Sequence, residues 1–271
     1  MSVTSEPPVL VHRAGAHDAV CVITLNRPAA LNSFTAALHA QLLPALEAAA
    51  ADRGVRAVLI TGQGRGFCAG QDLTDAAMVA QPDGGPVDVG AVIDTHYRPL
   101  ALRLRSMPVP VVMAVNGVAA GAGASLALCG DLVVAARSAS FVQAFSKIGL
   151  VPDCGGTWLL PRLVGRAKAL GLALLGDKLP AEEAERLGLI WQVVDDVALM
   201  PSALALCERL AAMPTRALVA TRQALDEAAG LDFPQALTLE ATVQRELGRG
   251  ADFVEGVSAF FARRPPVFRD R

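Results

Sequence analysis

Short apolar runs, separated by glycine- or proline-bearing turns and by amphipathic stretches, organise the first two-thirds of the chain. Val20 to Asn26, Ala57 to Thr61, Val109 to Val115 and Asp131 to Ala135 are mostly apolar and rich in β-branched residues, the pattern of buried strands. Ser140 to Gln143 reads as a further extended piece, and Arg27-Pro28 as the turn that stops the first strand. Between the strands the period becomes helical. Leu38, Leu42, Leu43 and Leu46 recur along Thr35 to Asp52, with Ser33 or Thr35 placed to cap this helix and Pro44 expected to kink it. A second helix is expected from about Val92 to Arg105, and a third near Ala122. Gln81 to Gly90 carries Pro82, Gly84, Gly85 and Pro86 and reads as a mobile loop. Strand alternating with helix predicts an α/β fold with largely parallel connections.

The pattern changes after Val194. No convincing strand follows, and helices are expected over Ser202 to Ala212, Thr215 to Ala229, Pro234 to Leu247 and Asp252 to Ala262. Two units are therefore expected: a core over residues 1–196 that holds the ligand site, and a helical unit over 197–271 used for packing or assembly. With 53% hydrophobic and 18% charged residues, tightly packed helices partly covered by neighbouring subunits explain the composition better than an isolated monomer. A net charge of −2 without a basic run argues against nucleic acid as the main partner.

Cysteines and the chain's start bear on compartment. Cys21, Cys68, Cys129, Cys154 and Cys207 are odd in number and scattered, so neither a zinc site nor a disulfide framework is supported, and no metal is expected. Reduced thiols and the lack of a signal-like start in Met1 to Pro8 lead us to expect a cytoplasmic protein. Met107 to Gly130 is uncharged and long enough to span a bilayer. Pro108, Pro110, Asn116 and four glycines break it, however, and it reads as buried core rather than membrane.

Two small-residue segments are the first candidates for chemistry: Phe67-Cys68-Ala69-Gly70-Gln71-Asp72-Leu73, and Asn116 to Ser125 with Gly117, Gly121 and Gly123. Each follows a strand-like run, and the second opens a helix. Small residues there let backbone approach a ligand and leave N–H groups pointing at it. Two such loops can converge on one oxygen, as an oxyanion hole requires. Plain turn chemistry stands as the alternative, and neither segment is a nucleotide fingerprint.

The residues together are similar to the enoyl-CoA hydratase/isomerase (crotonase) superfamily over essentially the whole chain. The matching series is Leu25-Asn26-Arg27-Pro28, Leu31-Asn32, the segments 67–73 and 116–127, then 149–165, 181–194 and 255–268. Within it, Ala144 to Lys147 and Val151 to Thr157 most resemble the 1,2-epoxyphenylacetyl-CoA isomerases of phenylacetate breakdown. The resemblance implies a crotonase-like spiral of β-β-α units with a C-terminal helical trimerisation domain, present as a homotrimer or a dimer of trimers. It implies an acyl-CoA thioester as substrate, with no cofactor beyond the coenzyme A that the substrate carries. By position, the thioester oxygen is held by the main-chain N–H groups of Gln71 and Ala122. The resemblance also places Arg27, Leu31, Ala69, Asp72, Leu73, Phe145 and Arg263 around the substrate and its coenzyme A. Of these, Asp72 is expected to support its loop rather than act as a base.

One departure directs the chemistry. Hydratases of the superfamily use two glutamates to hold and activate water, and the matching positions here are Ser125 and Phe145, neither of which is a general base. Asp153 remains, at the aspartate position of isomerase and dehalogenase relatives. It could simply cap a helix beginning near Gly156 or Thr157. With both glutamates gone, proton transfer by Asp153 is the expectation. Its apolar neighbours Phe145, Val151 and Trp158 are expected to raise its pKa. The expected activity is an acyl-CoA isomerase that converts ring-1,2-epoxyphenylacetyl-CoA to oxepin-CoA and shifts double bonds beside a thioester. An enoyl-CoA hydratase or Δ3,Δ2-enoyl-CoA isomerase of fatty-acid breakdown is the first alternative. A non-catalytic acyl-CoA-binding subunit is the second. His96 and Tyr97 could line the acyl pocket.

Overall fold

After two strands that both join the main sheet, strands are laid down in pairs, one for each of two sheets. In the computed structural model, which describes residues 6–78 and 87–271, β1 (Val9–Ala14) runs antiparallel to β2 (Val20–Leu25). Residues 81–86 of the expected loop lie outside the described residues. Helix α1 (Ala36–Ala51) follows, then β3 (Ala57–Gly62) and β4 (Gly66–Cys68), and then α2 (Val89–Val92), a π-helical turn (Ile93–Tyr97) and α3 (Arg98–Arg105). The next pair is β5 (Val111–Val115) and β6 (Val118–Ala120), followed by α4 (Ala122–Leu128). A third pair, β7 (Leu132–Ala136) and β8 (Ser140–Val142), leads to α5 (Gly156–Leu175). Strand β9 (Lys178–Pro180), helix α6 (Ala181–Arg186) and strand β10 (Gln192–Val194) complete the mixed part.

The main sheet has the order β1-β2-β3-β5-β7-β10, and the smaller one β4-β6-β8-β9. β3, β5 and β7 pair in parallel in the first sheet while β4, β6 and β8 pair in parallel in the second. Each repeat therefore advances both sheets by one strand, which is a spiral. The apolar runs are central for this reason: β2, β3 and β5 are buried along their whole length, as parallel strands covered on both faces must be. Residues 107–130 fold into β5, β6 and α4 inside this core. Among the described residues no single helix is long and apolar enough to cross a membrane.

One local expectation holds in detail, and one strand was not anticipated. Thr35 caps α1, its Oγ1 accepting from Leu38 N at 3.2 Å. The helix runs on through Pro44 from Ala36 to Ala51. Pro44 lies on the exposed side, where the Ala40 carbonyl that loses its partner can be hydrated. Strand β1 is absent from the sequence expectation because it is an edge strand: only Val9 is buried, and His12 and Arg13 cut short the apolar run that marks the central strands.

The last four helices are α7 (Leu199–Ala211), α8 (Thr215–Ala228), α9 (Phe233–Leu247) and α10 (Ala251–Ala262). Helix α7 covers the main sheet, burying Leu199, Ala203, Cys207 and Ala211, and Arg56 before β3 donates to the carbonyls of Ala211 and Met213. It thus belongs physically with the core. In α8, α9 and α10 few residues are buried, and α8 is tied back by the ion pair of Arg222 with Asp131 at 2.9 Å.

Candidate functional site

The two small-residue loops meet. A parallel bridge joins Phe34 to Gln71: Phe34 N donates to the Gly70 carbonyl at 2.7 Å, and Asp72 N to the Phe34 carbonyl at 2.9 Å. This pairing uses the groups on either side of Gln71 and turns the Gln71 N–H away from Phe34, and Gln71 lines a cavity. From the other loop, Ala122 is the first residue of α4, so its N–H has no acceptor within the helix. Glycines permit the approach. A Cβ on Gly70 would stand 2.8 Å from the Ala120 carbonyl oxygen and 3.5 Å from Ala122 N, and one on Gly123 only 2.2 Å from the Cys68 carbonyl oxygen. Gln71 and Ala122, the latter at the positive end of a helix, thus share one cavity.

Asp153 lines the same cavity. It sits in the turn between a 3-10 helix (Ala144–Ile148) and α5, followed by Cys154 at φ 47° and Gly155 at φ 84°. Gly155 occupies the cap position of α5, and no side chain caps that helix; the Asp153 backbone carbonyl, not its carboxylate, accepts from Gly156 N at 2.8 Å. The helix-cap explanation of this aspartate is therefore removed. Its Oδ1 is buried with no hydrogen-bond partner. Burial raises the carboxyl from 3.8 to about 6, with its own backbone N–H opposing the rise. A buried carboxylate oxygen without a partner destabilises a fold, and a site that holds one invites a functional reason.

The cavity has a volume of about 180 Å³, and its remaining wall is mainly apolar, including Leu73, Ile93, Tyr97, Phe145 and Leu150. A Cβ on Gly121 would lie 3.8 Å from Cζ of Phe145, so that ring lies beside the start of α4. Ala69 also lines the cavity. Ser125 does not: it is 0% exposed, and its Oγ faces the backbone of α5, 2.7 Å from where a Cβ on Gly156 would be. Of the two positions that activate water in hydratases, one is a phenyl ring in the cavity and the other is sealed inside the core.

Arg27, Leu31 and Asp72 do not line this cavity; they build the loop behind it. The Arg27 guanidinium donates to the Ser33 carbonyl at 2.5 Å and to Asp72 at 2.9 Å. Asp72 also accepts from Thr74 N and Oγ1, at 3.1 and 2.7 Å. The Thr74 hydroxyl first, and Arg27 next, lower this carboxyl to about 2, which makes it a poor base and a sound brace. The Leu31 carbonyl accepts from Ala69 N at 2.9 Å, holding the Gln71 loop from the other side. Arg263 ends α10 in a left-handed conformation, exposed and outside the cavity wall, and its neighbour Arg264 is paired with Glu255 at 2.6 Å.

The sequence reading missed Ile93, Ile148 and Leu150 as cavity residues, since apolar positions in helices and turns look like ordinary core. Tyr97 lines the wall, whereas His96 stacks on His39 with centroids 4.9 Å apart. Cys68 and Cys154 are buried, and desolvation pushes the Cys68 thiol up to about 12, which makes it no nucleophile. Among the described residues no group of three or more His, Cys, Asp or Glu could hold a metal ion.

The known proteins this chain is similar to include both isomerases and hydratases. The chain is 55% identical to the 1,2-epoxyphenylacetyl-CoA isomerase of Escherichia coli K12 over 249 residues, covering 92% of this chain and 94% of the relative. It is 36% identical to the 2,3-dehydroadipyl-CoA hydratase of the same organism, over 93% of this chain and 96% of the other. The crystal structure of an enoyl-CoA hydratase from Mycobacterium smegmatis superposes with a TM-score of 0.86 at 31% identity, covering 97% and 99% of the two chains. The model of the enoyl-CoA hydratase/isomerase family matches residues 15–271. With its spiral of paired strands, its two converging loops and this sequence match, the chain belongs to the enoyl-CoA hydratase/isomerase family, and its fold is the crotonase fold.

Proposed function

We propose that this protein is a cofactor-free acyl-CoA isomerase whose substrate is 1,2-epoxyphenylacetyl-CoA. The observation that carries the reading is Asp153, whose buried Oδ1 without a partner shares one cavity with Gln71 and Ala122. The thioester oxygen sits between the N–H groups of Gln71 and Ala122. Removal of a proton from the adjacent carbon places negative charge on that oxygen, where the two donors meet it; each such donor is worth about 10²- to 10³-fold in rate. Asp153 takes the proton and returns it to another carbon. Epoxide and seven-membered oxepin are isomers, so the conversion consumes no water and needs no redox partner. Double-bond shifts in unsaturated acyl-CoAs use the same step.

Substrate class is supported by the relative named for that epoxide and by the cavity itself. An apolar cavity of about 150 Å³ accepts benzene, and the one here, about 180 Å³ and largely apolar, suits a ring-sized acyl group. Hydration is disfavoured by Phe145 and by the sealed Ser125. Incubation with 1,2-epoxyphenylacetyl-CoA is expected to give the oxepin thioester, and with crotonyl-CoA no 3-hydroxy product. Rapid formation of 3-hydroxybutyryl-CoA would transfer the assignment to the hydratases. Acyl-CoA binding with no turnover of any thioester would leave a silent binding subunit.

The assembly we propose is a homotrimer or a dimer of trimers, formed through α8 to α10, with the core at 1–196 and α7 remaining on its sheet. Phe260 and Phe261 are 78% and 79% exposed, and with Phe253, Val257 and Leu247 they line an apolar groove of about 750 Å³. Such a surface suits burial by another copy. In that arrangement Arg263 contacts coenzyme A phosphate, from its own subunit or a neighbour's. Light scattering on the purified protein tests the stoichiometry. Five buried free cysteines support a reducing, cytoplasmic setting.

A further inference from the structure

Gln71 sits beyond the end of β4, in a loop whose ladder pairing, among the described residues, is one bridge to Phe34. A donor that must point at one oxygen needs more restraint than that, and its side chain supplies the means. The Gln71 carboxamide is engaged at both ends: Nε2 donates to the Asp72 carbonyl at 3.3 Å, and Oε1 accepts from the Tyr97 hydroxyl at 2.6 Å. Tyr97 closes the π-helical turn Ile93–Tyr97, and both of those residues line the cavity. Turns of this kind are rare and recur at functional sites.

The tyrosine is itself clamped. It is 2% exposed, and its ring meets Phe34 edge-on with centroids 5.3 Å apart and planes at 84°. His39 abuts it at 4.7 Å and 86°, and stacks in turn on Phe34 at 4.8 Å. Phe34 is the residue that pairs with the Gln71 backbone, so one ring cluster grips the loop through its main chain and its side chain. Burial first, and the nearby Asp153 charge next, raise the Tyr97 phenol far above its ordinary range, so it stays protonated and keeps donating.

We propose that Tyr97 is a positioning residue of the reaction: its hydrogen bond to the Gln71 carboxamide fixes the direction of the Gln71 main-chain N–H toward the thioester oxygen. This rests on the isomerase reading of the same site. Because the Tyr97 ring also forms part of the acyl wall, the group that senses the acyl ring is the one that aims the donor.

Tyr97→Phe removes only the hydroxyl and keeps the ring contacts. Gln71→Met keeps the main-chain N–H and the side-chain length but lacks the carboxamide. The informative probe is the carbonyl stretch of phenylacetyl-CoA, a saturated thioester, followed by difference infrared spectroscopy as it binds. Wild type is expected to lower that frequency, and each variant to lose a large part of the lowering while its dissociation constant stays within about threefold. Turnover of the epoxide should fall about tenfold in each, less than the 10²- to 10³-fold expected for losing a donor outright. The double variant should be no worse than Gln71→Met alone, because that change already removes the bond that Tyr97→Phe breaks. An unchanged carbonyl frequency in the variants, or losses that multiply in the double variant, overturns the role of Tyr97 and leaves the isomerase reading standing. Absence of any carbonyl shift in wild type removes the oxyanion site itself, and this inference with it.

Discussion

Replacing Asp153 by Asn should damage activity and improve stability at once. In the folded protein burial raises this carboxyl from 3.8 to about 6. A group that holds its proton more tightly when folded favours the fold below its unfolded pKa and loses that contribution as pH rises through its folded value. At about 1.4 kcal/mol per pH unit, ionised Asp153 opposes folding by up to about 3 kcal/mol near pH 8. Some 2 kcal/mol of this, on the order of the linkage integral, develops between about pH 4 and about pH 8. Asn keeps the shape and abolishes the charge. Any penalty for burying its amide is the same at every pH and drops out of the comparison. Urea unfolding of both proteins at the two pH values measures the effect: the stability of Asp153→Asn relative to wild type should rise by about 2 kcal/mol on going from acid to alkaline buffer. Turnover should meanwhile fall by about 10²- to 10⁴-fold, the usual worth of a positioned acid–base group. A capping aspartate gives the opposite sign, a loss of about 1 kcal/mol when its carboxylate is removed. A variant less stable than wild type at alkaline pH, with no pH-dependent difference, would refute the reasoning.

Other consequences follow from the same geometry. Since Asp153 must be ionised to accept a proton, kcat/KM should fall about tenfold per pH unit below about 6; a rate profile flat down to about pH 5 would point to a different base. Gly123→Ala should unfold or aggregate the protein, because the new Cβ would lie 2.2 Å from the Cys68 carbonyl oxygen and neither backbone can yield; a soluble variant with wild-type melting would show that the two loops are less tightly apposed. Arg222→Met strands Asp131, whose carboxyl burial already pushes upward, and should cost about 3–5 kcal/mol in urea unfolding, with partial recovery on adding Asp131→Asn. If that second change brings no recovery, the uncompensated charge is not what destabilises the first.

How much the chain's order alone revealed depends on the range of the forces involved. The cap of α1, narrowed to Ser33 or Thr35, the buried strands β2, β3 and β5, and the glycines of the two loops were all readable, because each reflects a preference acting over a few residues. The strands β4, β6 and β9 were not. Three residues carry no periodic signal, and their pairing depends on partners up to about fifty residues away.

The site divides along the same line. The family resemblance nominated Gln71, Ala122 and Asp153, and the residues at the matching positions excluded a pair of water-activating carboxylates, since chemistry absent from the side chains cannot be restored by folding. What the aspartate does was undecidable locally: an acidic residue three before a helix start suits a cap or a base equally well. Only the packed structure, which gives the cap to Gly155 and buries Oδ1 with no partner, removes the cap reading. Asp72 supports its loop as expected, but that its partner there is Arg27 was hidden for a similar reason. Opposite charges forty-five residues apart pair when the spiral brings their loops together, and that proximity is a property of the fold, not of either segment.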